Sequence, residues 1–456
     1  MAQVPLVYSV ENSGSTCAQP PLPDASALPW VVRLPNPFEW SDGHGAVTNF
    51  SDWECRRNEI KAEIEHYEIG IKPPKPTDVT ATYADGVLTV VVNENGHTVT
   101  LTSNIQVPTE GAGAFPVIIG MNSATGSIPS DLFDGFIKVP FMHDQSAYYS
   151  VPSGQTKADA PFFQMYPELV ANGDYSAWAW GVSRLIDGLE IVASQINADL
   201  QHIGVTGCSY AGKMALFSGA FDERIALTIA QESGGGGTAN WRVSETLGSV
   251  ENIGSTNYSW FMQSLNDNFN GKAAKLPYDH HELLAMVAPR ALLTFGNDGW
   301  TWMADESGYI SCMAAYEVYK RFGVEDRFGW DFTGGHNHCQ APESQVAAAE
   351  AFINKFLRGD NTVDTDIHTS PYEERGVNYQ FWISDWAEVT EPAVEVEQNW
   401  FEAESSTCAV IGNTLTISDD NTASPSHDGK FVTSATANTT APDGSGLITI
   451  PFTVNN

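Results

Sequence analysis

Apolar and polar positions change rhythm several times along this chain. Residues 87–94 and 97–107 are β-rich runs on either side of Asn95-Gly96. Asn-Gly between two such runs predicts a hairpin, because both turn positions need a positive φ. Short apolar runs of strand length follow at 115–120 (Phe-Pro-Val-Ile-Ile-Gly), 135–141, 202–206, 225–231, 290–295 and 326–332. Between them, apolar residues recur at helical spacing over 174–200, 210–219, 305–322 and 344–357. Asp279-His280-His281-Glu282 reads as a capping box that starts a short helix. Residues 1–80 are Pro-rich and irregular, with one helix expected over 52–67. Strands that are apolar on both faces and alternate with helices predict a mainly parallel sheet covered on both sides. The expected fold class is α/β, a three-layer sandwich with an N-terminal hairpin.

The pattern breaks after Arg375, beyond which Lys430 is the single basic residue. Residues 385–404 hold seven carboxylates, no positive charge and Pro392. Residues 390–399 are therefore expected to be a linker. It would separate a catalytic domain, 1–389, from a short β-rich C-terminal segment, 400–456, with alternating runs at 414–418 and 447–453.

Composition adds exclusions. A 456-residue chain with 42% hydrophobic residues and 13 Trp is globular, and its length exceeds one ordinary core. The 22 basic and 56 acidic residues leave a charge of −34, which repels nucleic acid and anionic lipid. No apolar run approaches the ~18–20 residues that span a membrane. No partner of either kind is expected. The six cysteines (17, 55, 208, 312, 339 and 408) make no zinc-like spacing, and no metal site is expected. Cys208–Cys339 is the first expected disulfide and Cys17–Cys55 the second. Cys312 and Cys408 are left without an expected partner. The opening Met-Ala-Gln-Val-Pro-Leu-Val-Tyr has neither a basic nor an apolar leader region. That fits a cytoplasmic protein or a secreted one whose signal peptide has been removed, and the disulfides favour secretion.

The candidate chemistry lies at Gly207-Cys208-Ser209-Tyr210-Ala211-Gly212-Lys213. A strand ending in Gly, then Ser, then a helix outlines a nucleophile elbow, as in α/β-hydrolases. The closing Gly stands one place later than in a strict Gly-x-Ser-x-Gly. The backbone N–H of Tyr210 is an expected oxyanion donor, with a second near Met121-Asn122-Ser123. Gly334-Gly335-His336-Asn337-His338-Cys339 supplies the base. His338, beside Cys339, is favoured over His336, and capping explains His280 and His281 without chemistry. Asp298, after the run 290–295, fits the chain order Ser, acid, His and is favoured on pattern alone, while Glu232 in Gln231-Glu232-Ser233 is the other candidate acid. A bond between Cys208 and Cys339 would bring together two motifs about 130 residues apart.

Several separate blocks carry a resemblance: Gly-Cys-Ser-x-x-Gly-Lys, the run through Gln-Glu-Ser-Gly-Gly-Gly-Gly, Asp-His-His with Ala-Pro-Arg, and Gly-Gly-His-Asn-His-Cys. From about Phe115 to Trp386 the chain resembles the glucuronoyl esterases, carbohydrate esterase family 15. The resemblance implies an α/β-hydrolase with catalytic Ser209 and His338, and Glu232 as acid ahead of Asp298. It matches Cys208–Cys339 to the family's disulfide, Lys213 to a sugar-binding Lys, and Trp302 or Trp300 to a Trp that packs on the uronate. It implies no cofactor and a uronic-acid-containing polysaccharide or lignin–carbohydrate ester as partner; a monomer is expected. Three positions depart from the family. Tyr210 stands where an Arg usually follows the Ser, Asn257 where a Glu grips the sugar, and Asn240 where a Cys would pair with Cys312. These leave open an esterase for another uronate or a simple ester, or an inactive scaffold that binds carbohydrate. Trp400-Phe401-Glu402-Ala403-Glu404 resembles the opening of a family 6 or 35 carbohydrate-binding module, truncated here.

Overall fold

In the computed structural model, residues 4–386 are described, residue 112 excepted. The expected linker, the module-like segment and Cys408 lie outside the described residues. Asn95 and Gly96 take φ of 52° and 76° and join β2 (Val87–Glu94) to β3 (His97–Asn104), as the Asn-Gly signal requires. A strand missed in the sequence, β1 (Asp78–Ala84), pairs antiparallel with β2 through Asp85-Gly86. Those residues also have positive φ, 52° and 82°, so the same turn chemistry was legible there. Leu88, Val90 and Val92 of β2 and Val99 and Leu101 of β3 form one buried face.

The second sheet has seven strands, all parallel. They are β4 (Phe115–Met121), β5 (Ile137–Phe141), β6 (Ala198–Cys208), β7 (Leu227–Gln231), β8 (Ala291–Phe295), β9 (Phe328–Asp331) and β10 (His368–Thr369), in the spatial order β10-β9-β8-β7-β6-β4-β5. The helices are α1 (Phe50–Ile64), α2 (Pro161–Met165), α3 (Asp174–Ile196), α4 (Tyr210–Phe221), α5 (Trp241–Ser244), α6 (Gln263–Phe269), α7 (His280–Ala285), α8 (Asp305–Arg321), α9 (Glu343–Phe356) and α10 (Gln380–Ile383). The expected α/β-hydrolase sandwich with its N-terminal hairpin is the observed architecture.

Sequence periodicity explains the layers. Leu227 and Ile229 of β7 and Ala291, Leu293 and Phe295 of β8 alternate along their strands and share one face. Against it α9 lays a stripe at helical spacing, Ala348, Ala349, Phe352, Ile353 and Phe356. The intervening Thr228 and Thr294 point the other way. A Cβ on Gly219 of α4 would fall 2.0 Å from Oγ1 of Thr228, and Thr294 lies 3.3 Å from Cys312 Sγ on α8. The expected helix over 174–200 stops at Ile196, because Asn197 takes a left-handed conformation (φ 53°) and the chain turns into a β6 longer than expected.

The N-terminal region is tied down by Cys17–Cys55, Cα–Cα 5.5 Å, which anchors it to α1. From α1, the buried Arg56 reaches Glu282 of α7 at 2.9 Å, Glu59 at 3.3 Å and Glu63 at 3.7 Å. One guanidinium cannot balance three buried carboxylates. Burial pushes the carboxyl of Glu63 up to about 7 and that of Glu282 up to about 8. The unfolded chain releases these protons above about pH 4.3, whereas the folded chain keeps them until pH rises through those higher values. Stability from this cluster is therefore fullest at the acid end and declines as pH rises to about 8. The melting temperature should drop by several degrees between about pH 5 and pH 8.5, and Glu282→Gln should flatten that slope. A melting temperature that climbs across the same window would contradict this account.

Candidate active site

In a parallel sheet, groups that follow the strands gather at the C-terminal edge. Ser209 follows β6, Glu232 follows β7, Asn297 and Asp298 come after β8, and His338 stands in the loop after β9. The spatial order makes these four strands consecutive neighbours.

Ser209 has φ 60° and ψ −127° and caps α4 without using its side chain, so the hydroxyl is left free. Its strained backbone is held by Ser209 N–H donating to the Gln231 carbonyl (3.0 Å) and Lys213 N–H donating to the Ser209 carbonyl (3.0 Å). Two glycines permit the bend. A Cβ on Gly207 would lie 2.1 Å from the Ala211 carbonyl oxygen, and one on Gly212 would lie 2.4 Å from the Gln231 oxygen. The late closing glycine thus serves the approach of α4 to the end of β7.

Cys208 and Cys339 are bonded, with Cα atoms 5.7 Å apart across 131 residues. A ring nitrogen of His338 and both sulfurs lie within 4.8 Å of one another, so the imidazole rests against the bridge beside Ser209. The sulfurs, being bonded to each other, are not thiolate ligands for a metal. His338 Nδ1 donates to Glu232 Oε2 at 2.6 Å, and Cys339 N–H donates to Glu232 Oε1 at 2.9 Å. Glu232 is fully buried, and its N–H donates to the Phe295 carbonyl at 2.6 Å. His336 instead meets the Thr333 carbonyl (2.8 Å) and Asn297 (3.2 Å), which makes it a support of the loop. Asp298 does not meet His338. Arg375 grips it with two contacts of 2.6 Å, Tyr372 donates to it at 3.0 Å, and these bonds hold its carboxyl below the usual range. His280 and His281 are buried elsewhere, His280 against Glu68 and the Gly237 carbonyl.

A family model described as glucuronyl esterase, fungi, matches residues 90–323. The chain is 35% identical over 391 residues to the 4-O-methyl-glucuronoyl methylesterase of Podospora anserina, covering 84% of this chain and 79% of that protein. It is 39% identical over 358 residues to the enzyme of the same name from Schizophyllum commune, covering 76% and 88%. The glucuronoyl esterase catalytic domain from Hypocrea jecorina superposes with a TM-score of 0.72 at 33% identity, over 81% of this chain and 99% of that one. A serine-to-alanine mutant from Sporotrichum thermophile, solved with methyl 4-O-methyl-β-D-glucopyranuronate, gives 0.72 at 34% identity, over 81% and 98%. The chain belongs to the glucuronoyl esterase family.

Around the elbow of this glucuronoyl esterase the remaining expected residues take distinct places. Lys213, one helical turn after the Ser, is buried rather than a surface residue. Its Nζ meets Glu251 Oε2 at 2.9 Å and lies 5.9 Å from the centre of the Trp260 ring. Asn257 spends its side-chain oxygen on the Ser259 N–H at 2.8 Å and shapes the turn before Trp260. The carboxylate beside Lys213 is Glu251, which the sequence reading missed, since Ser-Val-Glu-Asn carries no local signal. Trp300 lies over His338, ring centres 5.0 Å apart, and both Trp300 and Trp302 are exposed. Tyr210 sits in an aromatic array with Tyr149 (4.5 Å between ring centres) and Trp260 (5.9 Å). Its hydroxyl meets His143 Nε2 at 3.2 Å and Asn122 Nδ2 at 3.3 Å. Burial lowers the pKa of His143 and raises that of Tyr210, so this contact joins two neutral groups near pH 7. His143 stands two residues after the end of β5, so its place just past a strand end could have flagged it. Cys312 is a free, buried thiol, in line with the sequence reading.

The geometry separates the two candidate acids. Glu232→Gln should lower kcat by about 10⁴-fold, the loss seen when the carboxylate partner of a catalytic imidazole becomes an amide. Asp298→Asn should stay within a few-fold of the parent. Steady-state kinetics on one ester decide it, and the reverse ranking would sink the assignment.

Proposed function

We propose that this chain is a serine esterase that hydrolyses esters of glucuronic acid and its 4-O-methyl ether through an acyl-enzyme. The observation that carries the reading is the 2.6 Å contact from Glu232 to His338, on a loop bonded to the residue before Ser209. Ser209 Oγ attacks the ester carbon while His338 Nε2 takes the hydroxyl proton. Glu232 holds the opposite ring N–H and stabilises the imidazolium that forms. The backbone N–H of Tyr210 faces the developing oxyanion from the start of α4. His338 then gives the proton to the departing alcohol, and a water activated by the same imidazole releases the uronic acid. No metal or organic cofactor takes part in this sequence.

Lys213 and Glu251 offer an opposed donor and acceptor for sugar hydroxyls, and Trp300 and Trp302 offer exposed aromatic faces for the C–H side of the ring. The methyl glucuronate ester bound by the Sporotrichum thermophile relative supports this substrate class. The natural ester would join a glucuronoyl-bearing xylan to a lignin alcohol, and the enzyme would act as a secreted monomer. Two disulfides favour an oxidising compartment. No described helix is long and apolar enough to cross a membrane.

Benzyl glucuronate, methyl galacturonate and p-nitrophenyl acetate separate this reading from its rivals. Turnover should be best on the glucuronate and vanish in Ser209→Ala. The pair Lys213→Ala with Glu251→Ala should lower kcat/KM on the glucuronate by about 10–100-fold, the value of a charge-assisted hydrogen bond. It should leave the acetate, which lacks hydroxyls, nearly unchanged. Strong preference for the acetate would point to a simple carboxylesterase, and no turnover of any ester to a binding scaffold.

A further inference from the structure

When Ser209 attacks, the ester oxygen gains charge, and one N–H is a weak cradle for it. Tyr210 supplies one donor from the backbone. A second is expected from the loop after β4, yet the backbone N–H of Asn122 already donates to the Phe141 carbonyl at 2.9 Å. The side chain of Asn122 is differently placed. It is exposed, and its one side-chain hydrogen bond among the described residues is the 3.3 Å bond from Nδ2 to the Tyr210 hydroxyl.

This amide bonds to the side chain of Tyr210, the residue directly after Ser209, and the strand ends bring the two segments together. Gly120 of β4 lies opposite Thr206 of β6, and Asn122 is the first residue after β4 as Ser209 is the first after β6. A Cβ on Gly207 would sit 3.1 Å from the Cβ of Met121, which confirms that the strand ends touch. The left-handed backbone at Asn122, φ 61°, is a conformation that Asn tolerates better than most residues.

The hydrogen-bond chain behind it has one direction. Asp144 Oδ1 accepts the Nδ1–H of His143 at 3.0 Å, which leaves His143 Nε2 as an acceptor. The Tyr210 hydroxyl must then donate to Nε2 (3.2 Å), and its oxygen can only accept from Asn122. That fixes the amide nitrogen, not its oxygen, toward Tyr210. One N–H is used there and the second remains unengaged.

We propose that this second N–H of the Asn122 carboxamide is the other oxyanion donor, oriented by the chain Asp144–His143–Tyr210. Asn122 touches the reacting oxygen and is a catalytic residue. The Tyr210 hydroxyl and His143 act through it and are positioning residues. The assignment rests on the serine-esterase reading of the site and deepens it.

Three variants test it on benzyl glucuronate. Asn122→Gly suits the left-handed backbone, Asn122→Asp keeps the shape and loses the N–H groups, and Tyr210→Phe keeps the ring and loses the acceptor. Both Asn122 variants should lose about 10²–10³-fold in kcat with KM and melting temperature little changed. Tyr210→Phe should lose about tenfold, and combining it with Asn122→Gly should cost nothing further, because the tyrosine acts through the amide. A kcat for Asn122→Gly within about threefold of the parent, or fully additive losses in the double variant, would overturn the assignment. The rate at which a fluorophosphonate labels Ser209 is a readout independent of the substrate, since its P–O group takes the oxyanion position. Slow labelling of Asn122→Gly supports the proposal even if the parent fails to turn over the glucuronate, which would defeat only the substrate reading. Labelling at the parent rate overturns it whatever the ester.

Discussion

Glu232 is a buried carboxylate with both oxygens committed, one to the imidazole of His338 and the other to the backbone N–H of Cys339. A charge taken out of water needs such partners, and here both lie on the same loop. The carboxylate therefore sets the orientation of the ring and the path of the chain carrying it. The disulfide fixes the same loop to Cys208, the last residue of the strand before Ser209. Orientation comes from hydrogen bonds and proximity from a covalent link, and the two reinforce each other because Cys339 takes part in both.

The sheet makes this economy possible. Four parallel strands that are consecutive in space deliver Ser209, Glu232, Asn297 and the His338 loop to one edge. The close approach of α4 to the ends of β6 and β7 depends on Gly207 and Gly212, where any side chain would strike a backbone carbonyl. The strain at Ser209 persists because neighbouring hydrogen bonds over-determine it. Behind the elbow a layer of aromatic rings, Tyr149, Tyr210 and Trp260, closes one side, while Trp300 covers the imidazole from the other.

Much of this was legible in the residues, and the limits have physical causes. Strands apolar on both faces, helical spacing and the Asn-Gly turn are local signals, and they yielded the layers. The elbow and the His-Asn-His-Cys loop were readable for the same reason, since a sharp turn and a reactive group sit within a few residues. Pattern alone favoured Asp298, which fits the chain order Ser, acid, His, and only the family resemblance put Glu232 first. Only tertiary structure shows Asp298 spent on Arg375 and Tyr372. Glu251 was invisible because its role depends on a partner 38 residues away on another element. Asn257 looked like a ligand by position, whereas its short side chain closes a turn. The strand at 78–84 was missed although its Asp-Gly turn was in view, for want of an apolar alternation as clear as that of its neighbour.

The bond between Cys208 and Cys339 also turns the chain between them into a closed loop. That loop contains α4, β7, β8 and β9, and with them the hydroxyl, the carboxylate and the imidazole. A protease that cuts one exposed turn within it opens the backbone without releasing either fragment. Ser209 and His338 would stay tethered through sulfur, so a clipped molecule keeps both on one covalent body.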